Sequence, residues 1–142
     1  MSFTHARIAL GALVATIAIV PQLDAPAYAN QHQQQVRAIP FTQAAFDAAK
    51  AAGKPILVEV YAPWCPVCRA QQGPLAAAQN DPANADLVLF RIDFDSQRAE
   101  QRPLRVTRQS TLIAYRGNRE TGRLLGDTNA RNIARLVAST RG

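Results

Sequence analysis

Two cysteines stand three residues apart in the run Trp64-Cys65-Pro66-Val67-Cys68, and the chain has no others. Three residues along a helix bring two side chains onto one face, so the two sulfurs can meet in a disulfide. A structural zinc site needs four ligands, so a one-chain zinc knuckle would have to use both cysteines and both histidines of this chain, and it is not predicted. The spacing therefore favours thiol–disulfide exchange at Cys65 and Cys68.

The cysteine pair lies between a predicted strand and a predicted helix. Ile56–Tyr61 is an almost unbroken apolar, β-branched run, which is typical of a central strand covered on both faces. A bent helix is predicted over Ala70–Gln79, interrupted at Gly73-Pro74. The first turn of a helix favours a thiolate, so Cys65 is predicted to attack and Cys68 to resolve the mixed disulfide.

The remaining elements alternate in the manner of an α/β fold. A first helix is predicted from an N-cap at Thr42 to a stop at Gly53. The later predictions are a strand at Leu87–Ile92, a short helix at Gln97–Gln101, a hairpin of Thr111–Tyr115 with Gly122–Leu125, and a last helix capped by Asn129.

The chain resembles the thioredoxin family in Ile56–Tyr61, in Ala62-Pro63-Trp64-Cys-x-x-Cys, and in the strand, hairpin and helix that follow. The likeness covers about residues 38–140. It implies an α/β thioredoxin fold, with a mixed sheet of four or five strands and helices on both faces. It also implies exchange of thiols with protein disulfide substrates at Cys65, with no cofactor beyond the Cys65–Cys68 disulfide.

Within that family the chain is similar to exported bacterial thioredoxin-like proteins. The stretches Arg108-Gln109-Ser110-Thr111-Leu112 and Gly126-Asp127-Thr128 carry this likeness. It implies a reductant of protein disulfides, in disulfide reduction or cytochrome c maturation, that receives electrons from a membrane thiol-electron transporter. A disulfide oxidase or isomerase is the alternative within the class.

Two residues match family positions beside the cysteines. Glu59 falls where the family keeps a buried acid, and burial in an apolar strand should raise its pKa and suit it to move the Cys68 proton. The alternative is that Glu59 lies at an edge or pairs with an arginine. Trp64 packs beside the sulfurs in the family, and the alternative is an exposed aromatic side chain that contacts partners.

The chain departs from the family where a cis-proline normally faces the disulfide, because Ser110 stands there. The Gln109–Ser110 peptide is therefore expected to be trans, and the sulfurs are expected to be less covered. The resemblance assigns substrate docking to Gln109, Ser110 and Thr111, together with Trp64 and the Pro66-Val67 dipeptide that tunes the potential. Because Ser110 is expected to leave the sulfurs less covered, an alternative is a protein that binds copper(I) through the two thiols without turnover. Against this alternative, no third soft ligand is evident after the leader.

The first residues have the pattern of a signal peptide. Arg7 precedes an apolar run, Ile8–Val20, and Ala27-Tyr28-Ala29 offers a cleavage site. Since a spanning helix needs about 20 apolar residues, a retained anchor is the weaker alternative. The predicted division is a signal peptide at 1–29, a disordered leader at 30–37 and a thioredoxin-like domain at 38–142. The product is expected to be soluble in the periplasm or otherwise exported.

Composition agrees with one globular domain, because 48% of the 142 residues are hydrophobic and 18% are charged. The formal net charge is +6, but the arginines are scattered singly rather than clustered. Nucleic-acid binding is therefore not predicted, and the charge favours attraction to acidic surfaces. The chain is expected to be a monomer with no metal site.

Overall fold

Five strands form one mixed sheet in the computed structural model, which describes residues 35–141. The strands are β1 (Ile39–Pro40), β2 (Pro55–Tyr61), β3 (Val88–Asp93), β4 (Thr111–Arg116) and β5 (Arg119–Leu125). Their order in the sheet is β1-β3-β2-β4-β5, with β1 and β2 parallel to β3 and β4 antiparallel to both β2 and β5. The strand that precedes the cysteines is therefore central, as predicted.

The helices are α1 (Gln43–Ala51), α2 (Pro66–Asn80), α3 (Arg98–Gln101) and α4 (Ala130–Ala138), with a short 3-10 turn at Pro82–Asn84. All four were predicted, and α2 begins at the cysteine pair as expected, four residues before the run of helix formers at Ala70–Gln79. Cys65 caps it and Pro66 occupies its first turn, a position where the missing N–H of proline costs nothing. Pro74 lies inside α2 without ending it.

The caps follow the residues that the sequence marks. The Thr42 hydroxyl accepts a hydrogen bond from the backbone N–H of Ala45 at 3.2 Å and begins α1. Gly53 follows that helix with φ at +65°, a left-handed conformation that glycine adopts without a steric cost. Asn129 accepts hydrogen bonds from two backbone N–H groups of α4.

The two faces of β2 belong to two different cores, because successive side chains of a strand point to opposite sides. Val58 and Val60 pack with Phe46 of α1 and with Phe90. On the other face, Leu57 packs with side chains of α2, β3 and α4; these are Leu75, Leu89, Ile133 and Val137. The site at the end of β2 is thus held between helices on both sides of the sheet.

The predicted signal peptide and residues 30–34 of the predicted leader lie outside the described residues. The last part of that leader differs from the prediction, since Val36 packs against the core beneath α2 and α4. The Arg37 N–H donates to Gln79 Oε1 at 2.8 Å, and its guanidinium donates to Asn80 Oδ1 at 2.9 Å. These contacts fix the chain at least two residues before Ala38.

Candidate active site

The two cysteines meet where β2 passes into α2. Cys65 is the N-cap of α2, and its Sγ accepts a hydrogen bond from the backbone N–H of Cys68 at 3.2 Å. Both cysteines are free thiols, and both are buried, with exposed fractions of 2% for Cys65 and 0% for Cys68. The helix N-terminus thus points a backbone donor at the first sulfur, as the sequence predicted.

The environments of the two thiols push their pKa values apart. Burial by itself raises the pKa of Cys65, but hydrogen bonds from Cys68 Sγ, the Ser110 hydroxyl and backbone N–H groups outweigh it and lower the pKa to about 7. Burial, together with the neighbouring Cys65, raises the pKa of Cys68. At neutral pH the pair therefore holds a substantial fraction of thiolate on Cys65 and a proton on Cys68.

Ser110 faces both sulfurs across the site. Its Oγ lies 3.1 Å from Cys65 Sγ and 3.2 Å from Cys68 Sγ. The peptide bond before it is trans, as expected, since residues 35–141 contain no cis peptide bond. The expectation that the two sulfurs would be less covered is wrong. Ser110 is itself only 1% exposed, and its hydroxyl covers the sulfurs in place of a proline ring.

Glu59 lies buried on the α2 side of the sheet, with an exposed fraction of 0%. Arg91 Nε donates to its Oε2 at 2.8 Å, and Gln72 Nε2 donates to its Oε1 at 2.5 Å. Desolvation raises the pKa of Glu59 although both neighbours act to lower it. The acid is thus both buried, as predicted, and paired with an arginine, as the alternative held.

A ring of hydrogen bonds ties this acid to the helix that carries Cys68. Gln72 Nε2 also donates to the backbone carbonyl of Cys68 at 3.0 Å. Arg91 Nη2 donates to Gln72 Oε1 at 2.8 Å, and its guanidinium stacks over the Tyr61 ring at 4.4 Å. Arg91 keeps 32% of its side chain exposed, so the ring reaches from the buried carboxyl to solvent.

The remaining predicted site residues divide between surface and interior. Trp64 is 55% exposed, and its Nε1 donates to Asp95 Oδ2 at 2.8 Å, which matches the exposed alternative. Pro66 is exposed, and Val67 and Gln109 are half-buried. Thr111 is buried, and its hydroxyl donates to the Arg108 carbonyl at 2.7 Å.

Within residues 35–141, no three His, Cys, Asp or Glu side chains come together in a group that could hold a metal ion. The two thiols accordingly lack a third ligand of these types in that part of the chain. No helix in the described range is long and apolar enough to cross a membrane.

Known proteins share both the sequence pattern and the fold. The family model Thioredoxin matches residues 26–139. The crystal structure of Trxlp from Edwardsiella tarda is 43% identical, with a TM-score of 0.67, over 69% of this chain and 95% of that chain. The chain belongs to the thioredoxin family. None of the curated proteins matches it.

More distant thioredoxins share the fold of this thioredoxin-like chain at low identity. Thioredoxin from Malassezia sympodialis is 13% identical with a TM-score of 0.63, over 71% of this chain and 90% of that one. Mitochondrial thioredoxin 3 from Saccharomyces cerevisiae is 19% identical with a TM-score of 0.62, over 71% and 93%. Thiol–disulfide oxidoreductase activity is the general activity that this family supports.

Sequence reasoning missed several residues that build the site of this thioredoxin-like protein. Gln71 and Gln72 follow Cys68 by three and four positions, so helical spacing alone places them on the same face. Gln71 Nε2 donates to the carbonyls of Ser110 at 3.3 Å and Asp127 at 2.9 Å. Arg91 is an unexpected charge inside a buried strand, and its register opposite Glu59 is the signal that could have identified the pair.

Proposed function

We propose that this thioredoxin-like chain is an exported thiol–disulfide oxidoreductase that reduces disulfides in other proteins. The observation that carries the proposal is the contrast between its two thiols. Cys65 caps α2 and has a pKa lowered to about 7, whereas the pKa of Cys68 is raised. One sulfur is thus activated for attack while the other keeps its proton until it is needed.

The reaction proceeds in two exchanges. The Cys65 thiolate attacks one sulfur of the substrate disulfide, forms a mixed disulfide and releases the other substrate sulfur. Cys68 then attacks Cys65 Sγ, closes the Cys65–Cys68 disulfide and releases the second substrate sulfur. Two electrons pass to the substrate, and the proton of Cys68 leaves on one of its sulfurs, so the substrate departs as one thiol and one thiolate.

The direction of electron flow follows from how far the thiolate is stabilised. A strongly stabilised thiolate makes the reduced form stable and the protein oxidising, as in DsbA, whose cysteine pKa is about 3.5 and whose potential is about −120 mV. A pKa of about 7 for Cys65 supports the reducing side of this range, where thioredoxin lies at about −270 mV. Titration against a glutathione buffer measures this potential, and a value near −120 mV would assign the chain to the oxidase alternative.

The roles of the two cysteines are tested by trapping. Cys68→Ser should accumulate mixed disulfides between Cys65 and substrate proteins, because the resolving thiol is absent. Cys65→Ser, the matched control, keeps one thiol but should trap nothing and should not reduce insulin in the presence of dithiothreitol. Equal trapping by both variants would show that the roles are wrongly assigned.

Export is proposed from the signal-peptide pattern of residues 1–29. The full chain, expressed in a Gram-negative bacterium, should be recovered from the periplasmic fraction with Asn30 as its N-terminal residue. Recovery of an intact chain from the membrane fraction would support the anchor alternative, and recovery from the cytoplasm would contradict export.

Re-reduction requires an outside source of electrons, because each turnover leaves the Cys65–Cys68 pair oxidised. In an oxidising compartment we assign this role to a membrane thiol-electron transporter.

The proposed docking surface for the substrate is the edge of the site formed by Trp64, Pro66, Val67 and the Gln109–Thr111 segment. Exposed Trp64 and Pro66 are its accessible part.

A further inference from the structure

Ser110 is held in a backbone conformation that serine seldom adopts. Its φ of +59° lies in the left-handed region, where a side chain crowds the backbone. Three hydrogen bonds hold it there, since its N–H donates to the Val60 carbonyl at 2.9 Å and its carbonyl accepts from Gly126 N–H at 2.8 Å and Gln71 Nε2 at 3.3 Å. Such over-determined strain is concentrated at functional sites.

The strained backbone aims the hydroxyl at the reacting sulfurs. Oγ lies 3.1 Å from Cys65 Sγ and 3.2 Å from Cys68 Sγ, and all three residues are at least 98% buried. A hydrogen bond to a charged atom is stronger in such a setting than in water, because solvent does not compete for it. The Ser110 hydroxyl therefore contacts the two sulfur atoms whose charge changes during the proposed reaction.

A serine hydroxyl has one proton to donate, so it can donate to only one sulfur at a time. In the reduced pair the charge is on Cys65, while Cys68 keeps its proton. Once Cys65 is bound in the mixed disulfide it no longer carries charge, and negative charge must develop on Cys68 instead. Rotation about a single side-chain bond redirects the hydroxyl from the first sulfur to the second.

We propose that Ser110 is a catalytic residue whose hydroxyl donates to whichever of the two sulfurs carries the negative charge, and so assists both exchanges. The inference rests on the proposed function, since it assigns a role within that reaction. Ser110 keeps its own proton throughout, so the electron and proton balance of the two exchanges is unchanged. The hydrogen bond from Ser110 also lowers the pKa of both thiols, in the same direction as the proposal.

Two variants separate the hydroxyl from the backbone. Ser110→Ala removes the hydroxyl and keeps the strained backbone, whereas Ser110→Gly removes it and relieves the strain, because glycine accepts a positive φ. The control is Thr140→Val, which removes a buried hydroxyl that donates to the Val137 carbonyl at 2.7 Å, away from the sulfurs. If Ser110→Ala fails to fold, Ser110→Gly carries the test.

The probe is 5,5′-dithiobis(2-nitrobenzoate), followed by stopped flow at several pH values. Attack by Cys65 releases the first coloured thiolate, and resolution by Cys68 releases the second, so the two exchanges appear as separate phases. Both variants should slow both phases about threefold below pH 7, because a higher nucleophilicity offsets part of the lost thiolate, and should move the pH midpoint of the first phase up by about one unit. Thr140→Val should match the unsubstituted chain.

Three results would overturn the proposal. One is an unchanged pH midpoint in both variants, and another is slowing of the first phase alone, which would limit Ser110 to Cys65. The third is normal kinetics in Ser110→Gly but not in Ser110→Ala, which would assign the effect to the backbone. The probe is not a protein, so failure of the chain to reduce insulin would count against the proposed function and leave these outcomes readable.

Discussion

At the scale of single residues, Glu59 and Arg91 form an ion pair whose two members differ in burial. The carboxylate is fully buried, while the guanidinium keeps 32% of its side chain exposed. Loss of Glu59 leaves a cation that water can reach, whereas loss of Arg91 leaves a buried charge without its partner. The second loss should be the more damaging.

The proposed proton-transfer role of Glu59 gives a prediction for activity. Glu59→Gln keeps the shape and the contact with Gln72 but cannot ionise, so it should slow insulin reduction near neutral pH while the domain stays folded. Asp86→Asn, which removes an exposed carboxylate, is the control and should reduce insulin normally. An unchanged rate between about pH 6 and pH 9 would leave Glu59 with a structural role only.

Arg91→Met gives a prediction for stability. The pKa of Glu59 is raised in the folded state by desolvation, so the fold binds its proton more tightly than the unfolded chain does and loses stability as pH rises above about 4.5. Removing Arg91 raises that pKa further. The variant should lose about 3 kcal/mol or more at pH 8, and clearly less near pH 5.

Urea unfolding at the two pH values measures this difference. Arg102→Met removes an exposed arginine and is the control, with an expected change within about 0.5 kcal/mol at both pH values. Equal losses for Arg91→Met at pH 5 and pH 8 would show that lost packing, rather than the buried charge, sets the cost.

The contact of Ser110 with the cysteines was beyond the reach of the sequence. The residues lie 45 and 42 positions apart, and the hydroxyl meets the sulfurs only because of a positive φ that serine rarely adopts. The missing proline could be read from the sequence and led to the correct expectation of a trans peptide. It also led to the wrong expectation of exposed sulfurs, because a side chain in the left-handed conformation covers them.

At the scale of elements, the α4 helix depends on its first residue. Asn129 Oδ1 accepts hydrogen bonds from the backbone N–H groups of Arg131 at 3.0 Å and Asn132 at 3.3 Å. The helix then lays Ile133 and Val137 into the core beside Leu57. The cap therefore fixes an element that closes one face of the sheet.

Asn129→Ala should cost about 1 kcal/mol of stability, because both of these donors lose their side-chain acceptor. For a domain of this size the loss corresponds to a fall of about 4–8 °C in Tm, measured by circular dichroism. Thr128→Ala, at an exposed position before the cap, is the control. A Tm equal to that of the control would mean that packing alone sets the start of α4.

Helices and strands were predicted correctly where the hydrophobic pattern extends over several residues and a capping residue marks the end of the element. Thr42 and Asn129 cap helices as expected, and the apolar run at Ile56–Tyr61 became the central strand. Boundaries were less certain where they depend on a single residue. Helix-forming residues alone mark α2 only from Ala70, and its first turn at Cys65 was predicted from the position of the cysteine pair after the central strand.

At the scale of the whole molecule, the net charge of +6 predicts a preference among substrates. Reduction of a peptide disulfide flanked by acidic residues should slow as salt rises, because screening weakens the attraction, with a Debye length of about 10 Å at 0.1 M. A peptide flanked by lysines should show the opposite trend. Stopped-flow rates across ionic strengths measure both, with 2-hydroxyethyl disulfide as the uncharged control. Parallel behaviour of the two peptides would contradict the prediction.

The arrangement of the sheet follows from the sequence more readily than the network beneath the cysteines. Local patterns determine strands and helices, but Glu59, Gln72 and Arg91 come together only when β2, α2 and β3 pack. Each residue alone is ambiguous, since a buried acid and an arginine in a strand have several possible partners. The contacts among these three residues therefore depend on the tertiary packing of the domain and not on any local sequence pattern.

Trp64 has a consequence for how this protein can be studied. It is the only tryptophan in the chain and it adjoins Cys65. The residue is 55% exposed, and its indole N–H donates a hydrogen bond to Asp95. All indole fluorescence therefore comes from the neighbourhood of the redox pair. A change in emission during a denaturant titration will combine unfolding with any change in the oxidation state of the thiols, so the two signals can be separated only when the redox buffer is held constant.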